Sequence, residues 1–224
     1  MHELVEFAVE KAQELGASYA EARFEEKNGT EIVMKNGNPE GLGIIADRGI
    51  GIRVLVNGGM GFASTNVLTK ESVSEAVKKA VKLAKAAAKL RKKPVQFSEE
   101  DFHQVFYEVK MKKDFRDISA EEKMEYLKLI EEKVKESGVN TPMRFLRYSD
   151  FMWHKIFMNN EGALVESLIP RVSVTYNLVV FEEGQMEQAP FVQRAFSGGL
   201  ELIEKDKPWE WALKDVKALQ RLIK

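Results

Sequence analysis

The chain has 224 residues, 44% of them hydrophobic, with 34 Lys and Arg against 35 Asp and Glu and no cysteine. That content buries a substantial core and excludes disorder, while a net charge of -1 leaves no bulk attraction for nucleic acid or an anionic membrane surface. Without cysteine there is no disulfide, no thiolate nucleophile and no thiolate metal ligand, which fits a cytoplasmic protein.

The opening "MHELVEFAVEKAQELG" carries acids where a signal peptide carries bases, and its apolar residues recur at helical spacing through Leu4, Ala8, Ala12 and Leu15 up to Gly16. No apolar run approaches the roughly 20 residues of a membrane helix. "SYAEARFEEKNG" and "TEIVMKNG" then read as strands, with Asn36-Gly37 as a tight hairpin turn. "GLGIIADRGIGIRVLVNGGMGFAS" reads as three strands turning at Asp47-Arg48-Gly49 and at Asn57-Gly58-Gly59. Thr69 caps a second helix whose buried stripe is Val73, Ala76, Val77, Ala80, Val81 and Ala84.

A charge reversal around Pro94 marks the expected domain boundary, giving an N-terminal domain over 1–92 and a second over 93–224. The second begins with a strand in "FHQVFYEVKM". A capping box at Ser119-Ala120-Glu121-Glu122 starts a helix that ends at Gly138. Long strands follow, joined at 159–162 and 182–184, with Pro170 and Pro190 expected at ends, bulges or edges. Asp206 is the expected N-cap of a last helix, with Pro208 in its first turn and Trp209, Ala212, Leu213, Val216, Leu219 and Ile223 on one face. The fold class is therefore α+β: two domains, each mainly antiparallel sheet with packed helices.

Chemistry is harder to find. "HELVE" at His2 starts like a zinc-protease helix but has Glu6 where the second histidine belongs, and His103 and His154 fall in strands as ordinary imidazoles. Gly41-Leu42-Gly43-Ile44-Ile45-Ala46 matches a dinucleotide fingerprint in letters only, because no helix begins inside it; strand glycines at a close backbone approach explain it better. Neither Ser64 nor Ser197 sits in a nucleophile elbow, and neither Glu182-Glu183 nor Asp150 has a paired carboxylate at fixed spacing. The basic run from Lys78 to Lys93 lacks interleaved aromatics and reads as a solvated helix face. A charged fraction of 31%, rich in Lys and Glu, leans toward a heat-adapted source.

The phrases "LGASYAEARFEEKNGTEIVMKNGNPEG", "DRGIGIRVLVNGGMGFASTN", "YSDFMWHKIFMNNEGALVES" and "RAFSGGLELI", in this order and spacing, resemble the TldD/PmbA family of peptidases over nearly the whole chain. The resemblance implies a cytoplasmic, zinc-dependent peptidase acting on small or unfolded peptides, with the metal held by an H-E-x-x-x-H motif in a further C-terminal domain. No residue here matches that motif, so no catalytic or metal residue carries over and no cofactor is expected in this chain. The function implied is that of a non-catalytic portion supplying dimer scaffold and substrate chamber; the alternative is a free-standing binding or dimerisation module that has lost catalysis.

The expected partners are a C-terminal half of the same protein, a second subunit in a homodimer or a heterodimer with a paralogue, and peptide substrates. Arg53 and Phe62 in the glycine-rich hairpin are the expected chamber contacts; the plainer alternative is a sheet-surface Arg and a core Phe. If the last helix packs against another half, its apolar stripe and some strand edges are left exposed, and the chain self-associates or captures that half.

Overall fold

The computed structural model describes residues 1–98 and 100–223. The elements in chain order are α1 (His2–Glu14), β1 (Tyr19–Lys35), β2 (Asn38–Val56), β3 (Gly59–Thr65), α2 (Lys70–Leu90), β4 (Gln104–Glu108), α3 (Ala120–Glu136), β5 (Met143–Asn159), β6 (Leu164–Glu182), β7 (Gln185–Gln188), β8 (Val192–Ser197), α4 (Glu201–Asp206) and α5 (Pro208–Ile223). Strands hydrogen-bond in the order β3-β2-β1-β5-β6-β4, with β7 and β8 also pairing to β6. The class is α+β. Against the antiparallel rule, β4 runs parallel to β6, with Gln104 opposite Leu164 and Glu108 opposite Leu168.

Two compact units emerge, each assembled from three stretches: Met1–Lys27, Asp47–Glu108 and Trp153–Leu168 in the first, Asn28–Ala46, Val109–Met152 and Ile169–Lys224 in the second. Each has its own core. In the first unit α1 and α2 bury Val5, Ala8, Val73, Val77 and Ala84 against Ala22, Phe24, Ile52 and Val54 of the strands. In the second, α3 and α5 bury Leu127, Ile130, Val216 and Leu219 against Ile32, Leu146, Val174 and Leu178.

Local signals act where they are strongest. Thr69 and Ser119 accept hydrogen bonds from the first turns of α2 and α3, the latter in a full capping box. Asn36 and Gly37 take φ of 50° and 82°, the paired positive values of a tight hairpin, and Asn57-Gly58 and Glu183-Gly184 repeat the pattern.

Several expectations are corrected. Asp47-Arg48-Gly49 is not a turn: none of the three has positive φ, so β2 runs straight through it. Asn28-Gly29 does not end β1 either; a Cβ on Gly29 would lie 1.9 Å from the carbonyl oxygen of Asp150, so this glycine permits two backbones of the second unit to touch. Asp206 does not cap α5. It is the last residue of α4, its carboxylate is held by Arg194, and Lys207 turns the chain at φ 54° before Pro208. The stripe of α5 is not exposed: Ala212, Val216, Leu219 and Ile223 are buried in the second unit. Pro170 lies inside β6, between Leu168, the last partner of β4, and Arg171, the first partner of β8, in the gap between those two ladders.

Close backbone approach does govern a glycine pair, but not the expected one. Nothing lies within 4 Å of a Cβ placed on Gly41, whereas a Cβ on Gly61 would sit 2.0 Å from the Ala80 carbonyl oxygen and one on Gly59 would sit 2.2 Å from that of Ala84. Helix α2 therefore rests its backbone directly on β3. We expect Gly61→Ala to lower stability by about 1–3 kcal/mol or more through overpacking, and Gly41→Ala to stay within about 0.5 kcal/mol of the parent, read by urea denaturation.

Candidate functional site

The cleft in the first unit follows from strand alternation. Ala20, Ala22 and Phe24 of β1 face the helices and are buried, which sends Glu21, Arg23, Glu25 and Lys27 to the opposite face. Ile50, Ile52 and Val54 of β2 likewise turn inward, leaving Gly49, Gly51 and Arg53 on the open face; on β3, Phe62 and Ser64 stand beside them, paired in register as Arg53 with Phe62 and Gly51 with Ser64. These residues, with Asp47, Arg48, Thr65 and Asn66, line a cavity of about 630 Å³.

The structure brings Arg53 and Phe62 side by side in this cavity. Phe62 is 57% exposed, so it is not a core residue. Its ring lies over Gly51, where a Cβ would come within 3.2 Å of it; the absent side chain makes the floor on which the ring rests. Arg53 is held rather than free. Its Nη2 donates to Glu21 Oε1 at 2.7 Å, and its guanidinium lies 5.5 Å from the Phe97 ring centroid. The second oxygen of Glu21 accepts from the Tyr19 hydroxyl at 2.7 Å, and burial together with that bond pushes the Tyr19 phenol up to about 12.

The same face continues onto β5. Trp153 Nε1 donates to Glu25, Lys155 sits 3.4 Å and Lys27 4.7 Å from the Trp153 ring centroid, and Arg23 stacks at 5.4 Å over Phe157. Charges alternate in sign along β1 and aromatic rings fill the gaps. Such a wall offers forks for carboxylates and carbonyls, acids for amines, and flat apolar platforms, which is the chemistry a polypeptide presents.

No nucleophile-base pair accompanies it. Among the described residues no Ser or Thr hydroxyl hydrogen-bonds to a histidine, and no group of three or more His, Cys, Asp or Glu is disposed to hold a metal ion. The nearest approach is in the first unit, where His2 Nε2 lies 3.0 Å from one oxygen of Glu166 and His154 Nε2 lies 2.7 Å from the other. Both imidazoles spend that nitrogen on the carboxylate, so the three groups form a clasp. Burial raises the Glu166 carboxyl, but the hydrogen bonds from His154 and His2 outweigh it and hold the group below the usual carboxylate range. His103 stays apart, exposed, with its carbonyl accepting from Leu164 N–H.

Asp150 is likewise not part of a carboxylate pair. In the second unit its Oδ2 meets Lys123 Nζ at 2.7 Å and accepts from Tyr148 at 2.6 Å, while Thr30 N–H donates to Oδ1 at 3.1 Å. Lys123 and Asp150 are 6% and 1% exposed, beside a cavity of about 540 Å³. Every strong donor aimed at this carboxylate is already engaged, so the triad is a structural strut. Sequence reading missed Lys123 and Glu166 as well as Glu21, because their partners lie far away along the chain.

Taken together, the first unit presents an open sheet face of alternating charges and aromatic rings. Residues 20–84 match the model of PmbA/TldA metallopeptidase domain 1 and residues 113–220 match the PmbA/TldA metallopeptidase central domain. The chain belongs to the PmbA/TldD family. A metalloprotease of Methanocaldococcus jannaschii is 30% identical over 223 residues, covering 96% of this chain and 47% of the relative. TldE from Thermococcus kodakarensis is similar in structure at TM-score 0.68 and 15% identity over 96% of this chain and 47% of that one. A protein of Bacteroides thetaiotaomicron, described as a suggested modulator of DNA gyrase, is similar at TM-score 0.74 and 17% identity over 96% of this chain and 49% of that one. The chain thus spans about half the length of the relatives it matches. No helix among the described residues is long and apolar enough to cross a membrane.

Two measurements test these interactions. Asp150→Ala leaves the Lys123 charge buried and uncompensated, and is expected to cost about 3–5 kcal/mol in denaturant unfolding. The carboxyl of Glu166 is depressed in the folded state below its reference of 4.5, so the stability it contributes is present above pH 4.5 and is lost as pH falls toward the folded value. Glu166→Gln is expected to flatten that acid limb, and a limb identical to that of the parent would remove the clasp from the account.

Proposed function

We propose that this chain is the N-terminal and central, non-catalytic portion of a PmbA/TldD-type metallopeptidase, supplying scaffold and one wall of a chamber for small or unfolded peptides. The observation that carries it is the open sheet face of the first unit, where Arg53 and Phe62 stand together amid alternating charges. In this proposal the zinc of a full-length enzyme is held in a C-terminal half, as the family resemblance implies. The proposed setting is the cytoplasm, with a second subunit, identical or paralogous, completing the chamber.

Within the wall, Arg53 is the residue to bind a peptide carbonyl or carboxylate. Glu21 and Phe97 fix the guanidinium so that its ordering is complete before peptide arrives. Phe62 supplies an apolar platform over the Gly51 floor. The burial of the α5 stripe within its own unit is compatible with one further reading, a free-standing binding or dimerisation module that has lost catalysis.

The test is peptide hydrolysis under zinc titration, by the chain alone and with the remaining half of a family relative added in trans. Cleavage only with the added half is expected. In that reconstituted system Arg53→Ala should raise KM about 10-fold, the scale of one charged hydrogen bond, with kcat within about 2-fold. Metal-dependent cleavage by the chain alone would overturn the proposal, and no cleavage in either case would favour the module.

A further inference from the structure

The open face of the first unit is closed at one end by a strap. After α2 the chain turns back over the β2–β3 hairpin, where Val95 N–H donates to the Gly58 carbonyl at 2.8 Å and a Cβ on Gly58 would lie 2.5 Å from that of Pro94. From there Phe97 reaches onto the open face. Its ring meets the Tyr19 ring edge-on at 4.8 Å between centroids and lies 5.5 Å from the Arg53 guanidinium. Leu55, the next residue along this face of β2, is 6% exposed although the helices pack on the other side of the sheet. The cavity therefore stops at Arg53, Phe62 and Glu21, and runs the other way to Lys27 and Asp47. Along β2, Arg53 and Asp47 are separated by roughly 20 Å, the span of about six extended residues.

The closed end offers donors and no free carboxylate. Glu21 is 8% exposed and both of its oxygens are spent, Oε1 on Arg53 Nη2 and Oε2 on the Tyr19 hydroxyl, each at 2.7 Å. The Tyr19 hydrogen is spent in the same bond. Arg53 keeps more to give: its side chain is 40% exposed, and its Nε is buried with no hydrogen-bond partner, a donor in want of an oxygen. At this end of the cavity no carboxylate is left to receive a peptide ammonium. An extended chain lying in the cleft ends at the strap, and the end that suits a wall of donors is a carboxylate, whose bonds to a guanidinium are roughly twice as strong as those of a neutral carbonyl. The side chain of that last residue falls beside Arg53, on the exposed Phe62 ring over the Gly51 floor.

We propose that the Arg53 end of the cleft binds the free C-terminal carboxylate of a peptide whose last side chain is apolar, with the strap through Phe97 as its end wall. Arg53 contacts the carboxylate, Phe62 carries the last side chain, and Phe97 is a positioning residue that holds the guanidinium in place before peptide arrives. This rests on the reading of the first unit as a peptide-binding wall, and adds that the wall takes the end of a peptide rather than its middle.

Fluorescence anisotropy with the 224-residue chain tests it without any cleavage. The probes are one hexapeptide labelled at its N-terminus and ending in Phe, as the free acid and as the C-terminal amide, and the same free acid ending in Gly. The Phe acid is expected to bind at least about 10-fold more tightly than its amide and about 3-fold or more tightly than the Gly acid. Arg53→Lys keeps a cation beside Glu21 but loses the fork, and should bring the acid down to the amide while leaving the amide unchanged. Phe97→Ala, which leaves the ion pair intact, should lower the acid-to-amide ratio below about 3-fold with the amide again unchanged, a shift in preference that a merely structural role would not produce. Equal binding of acid and amide by the parent would overturn the terminus reading and leave the peptide wall standing, and a preference for the acid that survives Arg53→Lys would overturn the assignment to Arg53. No binding of any probe at about 1 mM, by a chain with native circular dichroism, would overturn the wall and this inference together.

Discussion

The contact on which the first unit depends is backbone on backbone. With no Cβ at Gly59 or Gly61, the carbonyl oxygens of Ala80 and Ala84 lie against β3 with no side chain between them. A helix this close to the sheet covers one face, which leaves Glu21, Arg23, Glu25, Lys27 and Arg53 on the other. The cleft is thus the remainder of a packing solution: polarity accumulates on the face the helices do not take. The small stripe of α2, Ala76, Ala80 and Ala84, is the matching half of that arrangement.

The second unit solves a different problem. Its core holds large side chains, with Tyr148, Tyr176 and Phe115 all nearly inaccessible, and two of these carry a hydroxyl that needs a partner. Asp150 and Asp215 provide it. Burial and those carboxylates push both phenols up. Lys123 then balances the charge at Asp150. Such a pair adds little net stability compared with apolar residues of equal volume, but its removal one partner at a time is costly, so it restricts how α3 can sit on the strands.

Turns and caps were legible in the residues because they are decided within four or five positions. Asn36-Gly37, Asn57-Gly58, Thr69 and Ser119 each act where the sequence places them. Strand length was not legible. Asp47-Arg48-Gly49 and Asn28-Gly29 have the composition of turns, yet their backbones are extended, because neighbouring strands supply partners that no local pattern encodes. The site was legible in part: Arg53 and Phe62 belong to one glycine-rich phrase, whereas Glu21 is 32 residues from Arg53 and His2 is 164 from Glu166, beyond the reach of any spacing argument.

The make-up of the first unit also sets an order of events during synthesis. Its first stretch ends at Lys27 and its last begins at Trp153, so α1 waits for Glu166 before its opening histidine finds a partner. At elongation rates of roughly 5–20 residues per second, the interval is on the order of ten seconds. During that time the helices of the first unit have an incomplete sheet to rest on, without the stretch that carries Ile156. A nascent chain shorter than about 168 residues therefore lacks part of the last stretch of the first unit, while nearly all of that unit's buried core, Val5 to Ala84, has already been made.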